Sequence, residues 1–153
     1  MNKICLISSS GGHFEQLLML LDMGDEFKTF IVTEKTQYNI DDKKIQYFVP
    51  QVNRKQITFI PQMLKNFTKS SYILLKEKPD VIISTGVLAA IPMMILGRLF
   101  NKKVIYIESF AKINNPTITG KIIYKYKIAN RFYVQWESMK VFYPEAICLG
   151  GIY

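Results

Sequence analysis

Apolar residues along the chain fall into two alternating patterns. Short runs such as Ile4–Ile7 and Val81–Ile83 are apolar at every position, the pattern of strands covered on both faces. Between such runs the apolar positions take a helical spacing. From about Thr58 to Lys76, residues Ile60, Met63, Leu64, Phe67, Leu74 and Leu75, with the small Ser71, follow the i, i+3, i+4, i+7 template of an amphipathic helix. Along the whole chain, Lys3–Ile7 reads as a strand, Ser8–Gly12 as a loop and His13–Met23 as a helix. Phe27–Val32 and Ile45–Val49 read as strands before the Thr58–Lys76 helix. Pro79-Asp80 opens a strand at Val81–Ser84, followed by a loop at Thr85-Gly86 and a helix from Leu88 to Phe100, with Pro92 in the region of its first turn. Lys103–Ile107 is a strand, Thr117 or Thr119 caps a helix through Ala129, and Arg131–Val134 and Ala146–Leu149 close the series.

Strand, helix and strand at this spacing predict right-handed βαβ units and a parallel sheet. The expected fold is one α/β domain over residues 1–153, doubly wound, with a mainly parallel sheet and helices on both faces. Ligands in such folds sit beyond the carboxyl ends of the strands. The loop after Ile7, the loop at Ser84–Gly86 and the segment after Ile107 should therefore share one crevice. Asp80 precedes its strand, at the opposite end, and reads as structural.

Charge narrows the partners. The chain has 20 Lys+Arg against 12 Asp+Glu, a formal charge of +8, which favours a polyanionic partner or an anionic surface. No RNP, zinc-finger or helix-turn-helix pattern is present, so charge alone speaks for nucleic acid, and none is expected as a partner. The weakly charged stretch from Val81 to Phe100 contains Ser84, Thr85, Gly86, Pro92 and Arg98, the chemistry of a strand, loop and core helix rather than a membrane span. Ile4–Ile7 is too short for the apolar core of a signal peptide. Cys5 and Cys148 form no CxxC or Cys/His cluster, so no metal is expected and both read as free thiols of a reducing cytoplasm.

The candidate chemistry lies in the loops. Ser8-Ser9-Ser10-Gly11-Gly12-His13 follows a strand and opens a helix, and glycines with helix N-terminal amides suit a phosphate or diphosphate. The loop is neither GxGxxG nor GxxxxGK[ST], and a tight turn without a ligand is the other reading. His13, the only histidine, is a candidate base whose neutral form a helix dipole favours; a capping or packing histidine is its alternative. Ser84-Thr85-Gly86 repeats the loop design at the next position. Glu108-Ser109 ends a strand, where the carboxylate can act as a base or cap the following loop.

The Thr58–Lys76 segment carries basic residues around its apolar stripe. Arg54, Lys55, Lys65 and Lys69 with Phe59 and Phe67 suit a peripheral contact with an anionic leaflet. The commoner reading is a core-facing helix with a solvated basic face.

Several short motifs occur in order: Ser9-Ser10-Gly11-Gly12-His13, Ile83-Ser84-Thr85-Gly86, Ile105-Tyr106-Ile107-Glu108-Ser109, Thr119-Gly120-Lys121, Val134-Gln135-Trp136-Glu137, Tyr143-Pro144-Glu145-Ala146 and Gly150-Gly151. Together they resemble bacterial capsular and exopolysaccharide synthesis proteins, which are similar to the membrane-side subunit of the two-part N-acetylglucosaminyltransferase of dolichol-linked oligosaccharide assembly. The resemblance implies a Rossmann-like, amino-terminal half of a GT-B glycosyltransferase. It further implies a separate donor-binding subunit, a UDP-sugar bound through the complex, and a lipid-pyrophosphate-linked sugar as acceptor. His13 and Glu108 are then the candidate bases. Ser9, Ser10, Gly11, Gly12, Ser84, Thr85, Gly86 and Ser109 would hold the acceptor and its phosphates. No cofactor is implied, and the chain lacks an Asp-x-Asp pair for a bound metal. The expected place is the cytoplasmic face of the plasma membrane, with peripheral attachment, since the eukaryotic relatives' amino-terminal membrane helix has no counterpart before the first strand. The family's glutamate-serine segment is followed by an arginine where this chain has Lys112. Arg and Lys are not interchangeable at a bidentate contact, so the resemblance carries no role to that position. A non-catalytic scaffold that only recruits the donor subunit, or a complete small nucleotide- or flavin-binding enzyme, are the competing readings.

Overall fold

The computed structural model of the chain describes residues 2–22, 26–35 and 45–152. Seven parallel strands form one sheet: β1 (Lys3–Ser8), β2 (Lys28–Lys35), β3 (Ile45–Pro50), β4 (Val81–Ser84), β5 (Lys103–Ile107), β6 (Arg131–Val134) and β7 (Ile147–Cys148). Their order is β3-β2-β1-β4-β5-β6-β7. The chain thus winds outward from β1 to one edge, crosses back, and winds outward to the other. Four α-helices among the described residues connect them: α1 (Gly12–Leu18), α2 (Phe59–Glu77), α3 (Ile91–Leu99) and α4 (Ile118–Lys125).

Alternation along the strands divides the core. Cys5 and Ile7 of β1, Phe30 and Val32 of β2, Ile82 of β4, Val104 and Tyr106 of β5 and Phe132 and Val134 of β6 share one cluster with Ile73, Met93 and Ile123 of α2, α3 and α4. Their neighbours Ile4, Leu6, Ile31, Ile83 and Ile107 point the other way, onto Leu17 of α1. Burial on both faces explains why these strands carry no polar alternation. Gly97 lets α3 settle on β4, since a Cβ there would collide with the Ile82 side chain.

Three expected helices are shorter or differently divided, and the last strand shrinks from Ala146–Leu149 to Ile147–Cys148. The first helix ends at Leu18 and continues as a 3-10 turn at Met19–Asp22; Met23, its expected end, lies outside the described residues. The helix after β4 starts as a 3-10 turn, Leu88–Ala90, and Pro92 occupies its first α-helical turn, where a missing N–H costs little. Thr117 rather than Thr119 caps α4, its hydroxyl accepting from the Gly120 amide at 2.8 Å, and α4 stops at Lys125. Asp80 stitches the end of the sheet away from the crevice: its carboxylate accepts from the Lys3 amide at 2.9 Å, its own amide donates to Lys3 O, and its carbonyl accepts from Lys103 N.

Candidate functional site

β1, β4 and β5 lie side by side and run parallel, so their carboxyl ends bring the three candidate loops together. Gly11 initiates α1 at φ 84° and ψ −146°, a conformation that L side chains rarely adopt. Its carbonyl accepts from the amides of Phe14 and Glu15. No side chain caps α1. A Cβ on Gly11 or Gly12 would meet nothing within 4 Å, so the loop borders open space. Ser9 and Ser10 beside it are half-buried.

The second loop is built against the first. Thr85 Oγ1 donates to His13 O at 2.7 Å. The Gly86 amide donates to Ser84 Oγ at 3.2 Å, and Ser84 Oγ donates to Gly86 O at 3.3 Å. Ser84 and Thr85 are fully buried, so both hydroxyls hold the loop, and neither faces an open ligand site. Val87 follows with φ 86° and ψ 141°. A β-branched residue at positive φ carries about 1–3 kcal/mol of strain, held by the packing of Val87 on the core and by Ala90 N donating to its carbonyl.

His13 stands between these loops. Its imidazole lies against Gly86, and Nδ1 is buried without a hydrogen-bond partner. Burial holds its pKa below the ordinary histidine value; the Thr85 backbone and the Glu108 charge oppose this, while the Lys112 charge adds to it. The ring is therefore neutral at neutral pH. Desolvation, rather than the dipole of a seven-residue helix, is the leading cause.

Glu108 is fully buried and saturated with donors. The Ser109 amide donates to Oε1 at 2.9 Å, the Thr117 amide to Oε2 at 3.2 Å, and the Thr117 hydroxyl lies 2.9 and 3.0 Å from the two oxygens. The Tyr143 hydroxyl donates at 2.8 Å and the Tyr106 hydroxyl at 3.3 Å. A buried carboxylate survives only when paired or hydrogen-bonded, and here its charge is spread over hydroxyls and amides. Burial and that charge together push both tyrosine hydroxyls up. Gly120 leaves the room: a Cβ there would strike Glu108 Oε2 and stand 2.6 Å from the Tyr143 hydroxyl. This geometry favours the loop-capping role of Glu108 over that of a base. Ser109 is buried beside it and closes a turn by accepting from the Lys112 amide at 3.0 Å.

The basic residues expected at a membrane are exposed: Arg54, Lys55, Lys65 and Lys69. Lys69 also donates to Phe48 O at 2.8 Å. Phe59 and Phe67 are half-buried, and Phe59 packs on the core, so neither is the leading apolar contact. That surface belongs to Ile57, Ile60, Leu64 and Leu75, all exposed. The expected single apolar stripe divides: Met63 and Leu74 pack on the core, while Ile60 and Leu64, one turn apart, lie opposite the buried Asn66, Ser70 and Ile73. No helix among the described residues is long and apolar enough to cross a membrane.

Comparison with known proteins decides the family. Residues 4–152 match the family described as oligosaccharide biosynthesis protein Alg14 like. The chain belongs to that family. It is 30% identical over 159 residues to the UDP-N-acetylglucosamine transferase subunit ALG14 of Candida albicans, covering 90% of this chain and 72% of the relative. The human protein of the same name is 23% identical, with 98% of this chain and 82% of the relative covered. Among solved structures the fold matches Acinetobacter baumannii MurG at a TM-score of 0.72 and 15% identity, over 90% of this chain and 43% of that one. It also matches the UDP-GlcNAc 2-epimerase of Methanocaldococcus jannaschii at a TM-score of 0.71 and 13% identity, over 97% and 45%. The chain thus spans less than half the length of these two proteins. At such identities the likeness places the Alg14-like chain in their GT-B-type, Rossmann-like fold and goes no further.

Proposed function

We propose that the chain is the acceptor-side, membrane-facing subunit of a two-chain inverting glycosyltransferase. A hexose passes from a UDP-sugar to a hydroxyl of a lipid-pyrophosphate-linked sugar, in capsule or exopolysaccharide assembly. The curated relatives named as transferase subunits support the division into two chains, and the ordered motifs of the bacterial polysaccharide proteins support the setting. The observation that carries the chemistry is the neutral His13 imidazole, fixed between two strand-end loops beside the open space over Gly11 and Gly12.

In this reading the acceptor hydroxyl attacks the anomeric carbon, the bond to UDP breaks with inversion, and His13 takes the hydroxyl proton. Nδ1 is buried against Gly86, which leaves Nε2 as the atom for the substrate. A base that is neutral at the working pH and within hydrogen-bond reach contributes ~10²–10⁴-fold. Glu108 acts indirectly, by shaping the loop from Ser109 to Thr117. The exposed Ile57, Ile60 and Leu64 with Arg54, Lys55 and Lys65 would rest on the cytoplasmic leaflet, where the lipid-borne acceptor waits.

Co-expression tests it. The chain purified alone should transfer no sugar, and the chain purified with its donor-binding partner should transfer hexose to a lipid-diphosphate sugar. Robust transfer by the lone chain refutes the division of labour. Transfer by the pair that survives both His13→Ala and Glu108→Gln would leave this chain a scaffold.

A further inference from the structure

Gln135 stands directly after β6 and is buried. Both ends of its side-chain amide are taken by backbone from distant segments. Nε2 donates to Glu108 O at 2.9 Å, and Oε1 accepts from the Ile152 amide at 2.9 Å. One side chain therefore ties the start of the Glu108–Thr117 loop to the segment Leu149–Ile152. The segment turns at Gly150, φ 96°, and spans a cleft instead of lying flat on the sheet. About 210 Å³ lies between it and Ile107, Tyr133 and Val134. Leu149 points outward, 81% exposed, while Ile152 reaches the core cluster of Ile107. Gly151 passes close over the Phe110 ring, where a Cβ would stand 2.9 Å from Cε2. Phe110 belongs to the loop and is braced from behind: Trp136 Nε1 donates to its carbonyl at 2.7 Å, and the two rings lie 4.9 Å apart. The segment thus meets the loop at two places, through Gln135 and at Phe110. The loop leaves the carboxyl end of β5, next to β4, so whatever fixes it fixes one wall of the crevice.

We infer that Gln135 is a positioning residue: it clamps the Leu149–Ile152 segment onto the Glu108–Thr117 loop, so that seating of the segment sets the shape of the acceptor crevice. The inference rests on the acceptor-site reading above and adds a remote control of that site. Nothing reacts at Gln135, which acts through the backbone of Glu108. A segment that spans an open cleft lifts by local opening, without unfolding of the sheet.

The chain carries its own reporters. Trp136 is the only tryptophan, and the Lys112 and Thr117 amides donate within the loop, to Ser109 O and Glu108 Oε2. Two variants cut the clamp from opposite sides. Gln135→Leu removes both hydrogen bonds, and Ile152→Pro removes only the segment's donating amide. Each should speed hydrogen exchange at Lys112 and Thr117 about five- to tenfold, the scale of one hydrogen bond, and shift Trp136 emission to the red. The Asp80 amide, bonded to Lys3 O at the far end of the sheet, should exchange as in the wild type. The double variant should add nothing to Gln135→Leu alone. Equal acceleration at Asp80 means general loosening and overturns the clamp, as does unchanged loop exchange in Ile152→Pro, which leaves Gln135 in place. In the reconstituted pair both variants should raise the acceptor KM more than they lower kcat, and an unmoved KM overturns the positioning role. The exchange measurement needs neither partner nor transfer. A wild-type pair that transfers no sugar would therefore sink the reading of the site, while the clamp stands or falls on the exchange rates.

Discussion

The His13 imidazole occupies the space that a side chain at position 86 would need. A Cβ on Gly86 would stand 3.0 Å from Cε1 and 3.1 Å from Nδ1 of His13, and Gly86 itself sits at φ 133°. Gly86→Ala therefore meets two obstacles, backbone strain of about 1–3 kcal/mol and a displaced ring. The expected outcome is a loss of turnover of ~10²-fold or more in the reconstituted pair with only a modest fall in melting temperature. Turnover near wild type would mean that the ring is not held for chemistry.

The acid side of the rate profile should follow His13. Its protonation is disfavoured, first by burial and then by Lys112, so activity should hold to below the ordinary histidine value before falling. Removing the Lys112 charge relieves one lowering influence, and the limb of Lys112→Met should move to higher pH. The same depression has a stability consequence of fixed sign. The contribution is present above the unfolded-state value and is lost as pH falls toward the folded one. A pH–kcat series on both proteins, with melts at the same pH values, checks both statements.

Glu34 behaves in the opposite sense. It is buried at the carboxyl end of β2, with the Val52 amide donating at 3.4 Å, and burial raises its pKa to about 7. A carboxyl raised on folding contributes fully below its unfolded value, and that contribution is lost as pH rises through the folded one. Stability should thus decline between mildly acidic pH and pH just above 7, and Glu34→Gln should flatten that decline. Parallel melting curves for the two proteins across this window would remove Glu34 from the account.

Replacing Glu108 separates scaffold from chemistry. Glu108→Gln turns an acceptor toward donors already in place and should cost about 2–3 kcal/mol, the scale of hydrogen bonds to a buried charge. Gly120→Ala should destabilise at least as much, because its Cβ would enter the same carboxylate. Denaturant melts read both. A Glu108→Gln chain of wild-type stability and lost turnover would restore the glutamate as a base.

Binding to anionic vesicles should depend on the outer side of α2. Each basic residue near the surface adds about 1 kcal/mol, and screening shortens the attraction to ~8 Å at physiological salt. Ile60→Ser with Leu64→Ser should weaken binding at every salt concentration, because both side chains are exposed and neither supports the core. Glutamine at Arg54, Lys55, Lys65 and Lys69 should weaken it chiefly at low salt. Co-sedimentation that is equal on neutral and anionic vesicles, or absent on both, rules the surface out.

The strands were legible because burial on both faces leaves an unbroken apolar run, as at Ile4–Ile7 and Val81–Ile83. Parallel order followed from the spacing, and with it the meeting of the loops after β1, β4 and β5. Side-chain direction was less legible. Ser84 and Thr85 look like ligand groups by composition, yet both hydroxyls turn inward, that of Ser84 onto Gly86 O and that of Thr85 onto His13 O. Nor could spacing reveal that Thr117 and Tyr143, 9 and 35 residues from Glu108, converge on its carboxylate. Local pattern records which face a residue takes; long-range partners appear only when distant segments close on one another.

The Thr85–His13 hydrogen bond joins residues 72 positions apart. β1 and β4 are neighbours in the sheet, but β2, β3 and α2 are made between them. Closing so long a loop is a slow, entropically opposed event. The crevice therefore cannot form early from local structure. It is assembled when the two halves of the sheet zip together, and the environment of one imidazole becomes a clock for that step. In a stopped-flow refolding experiment the His13 signal should arrive with the last phase of sheet formation, after the helical signal of α2 has already developed.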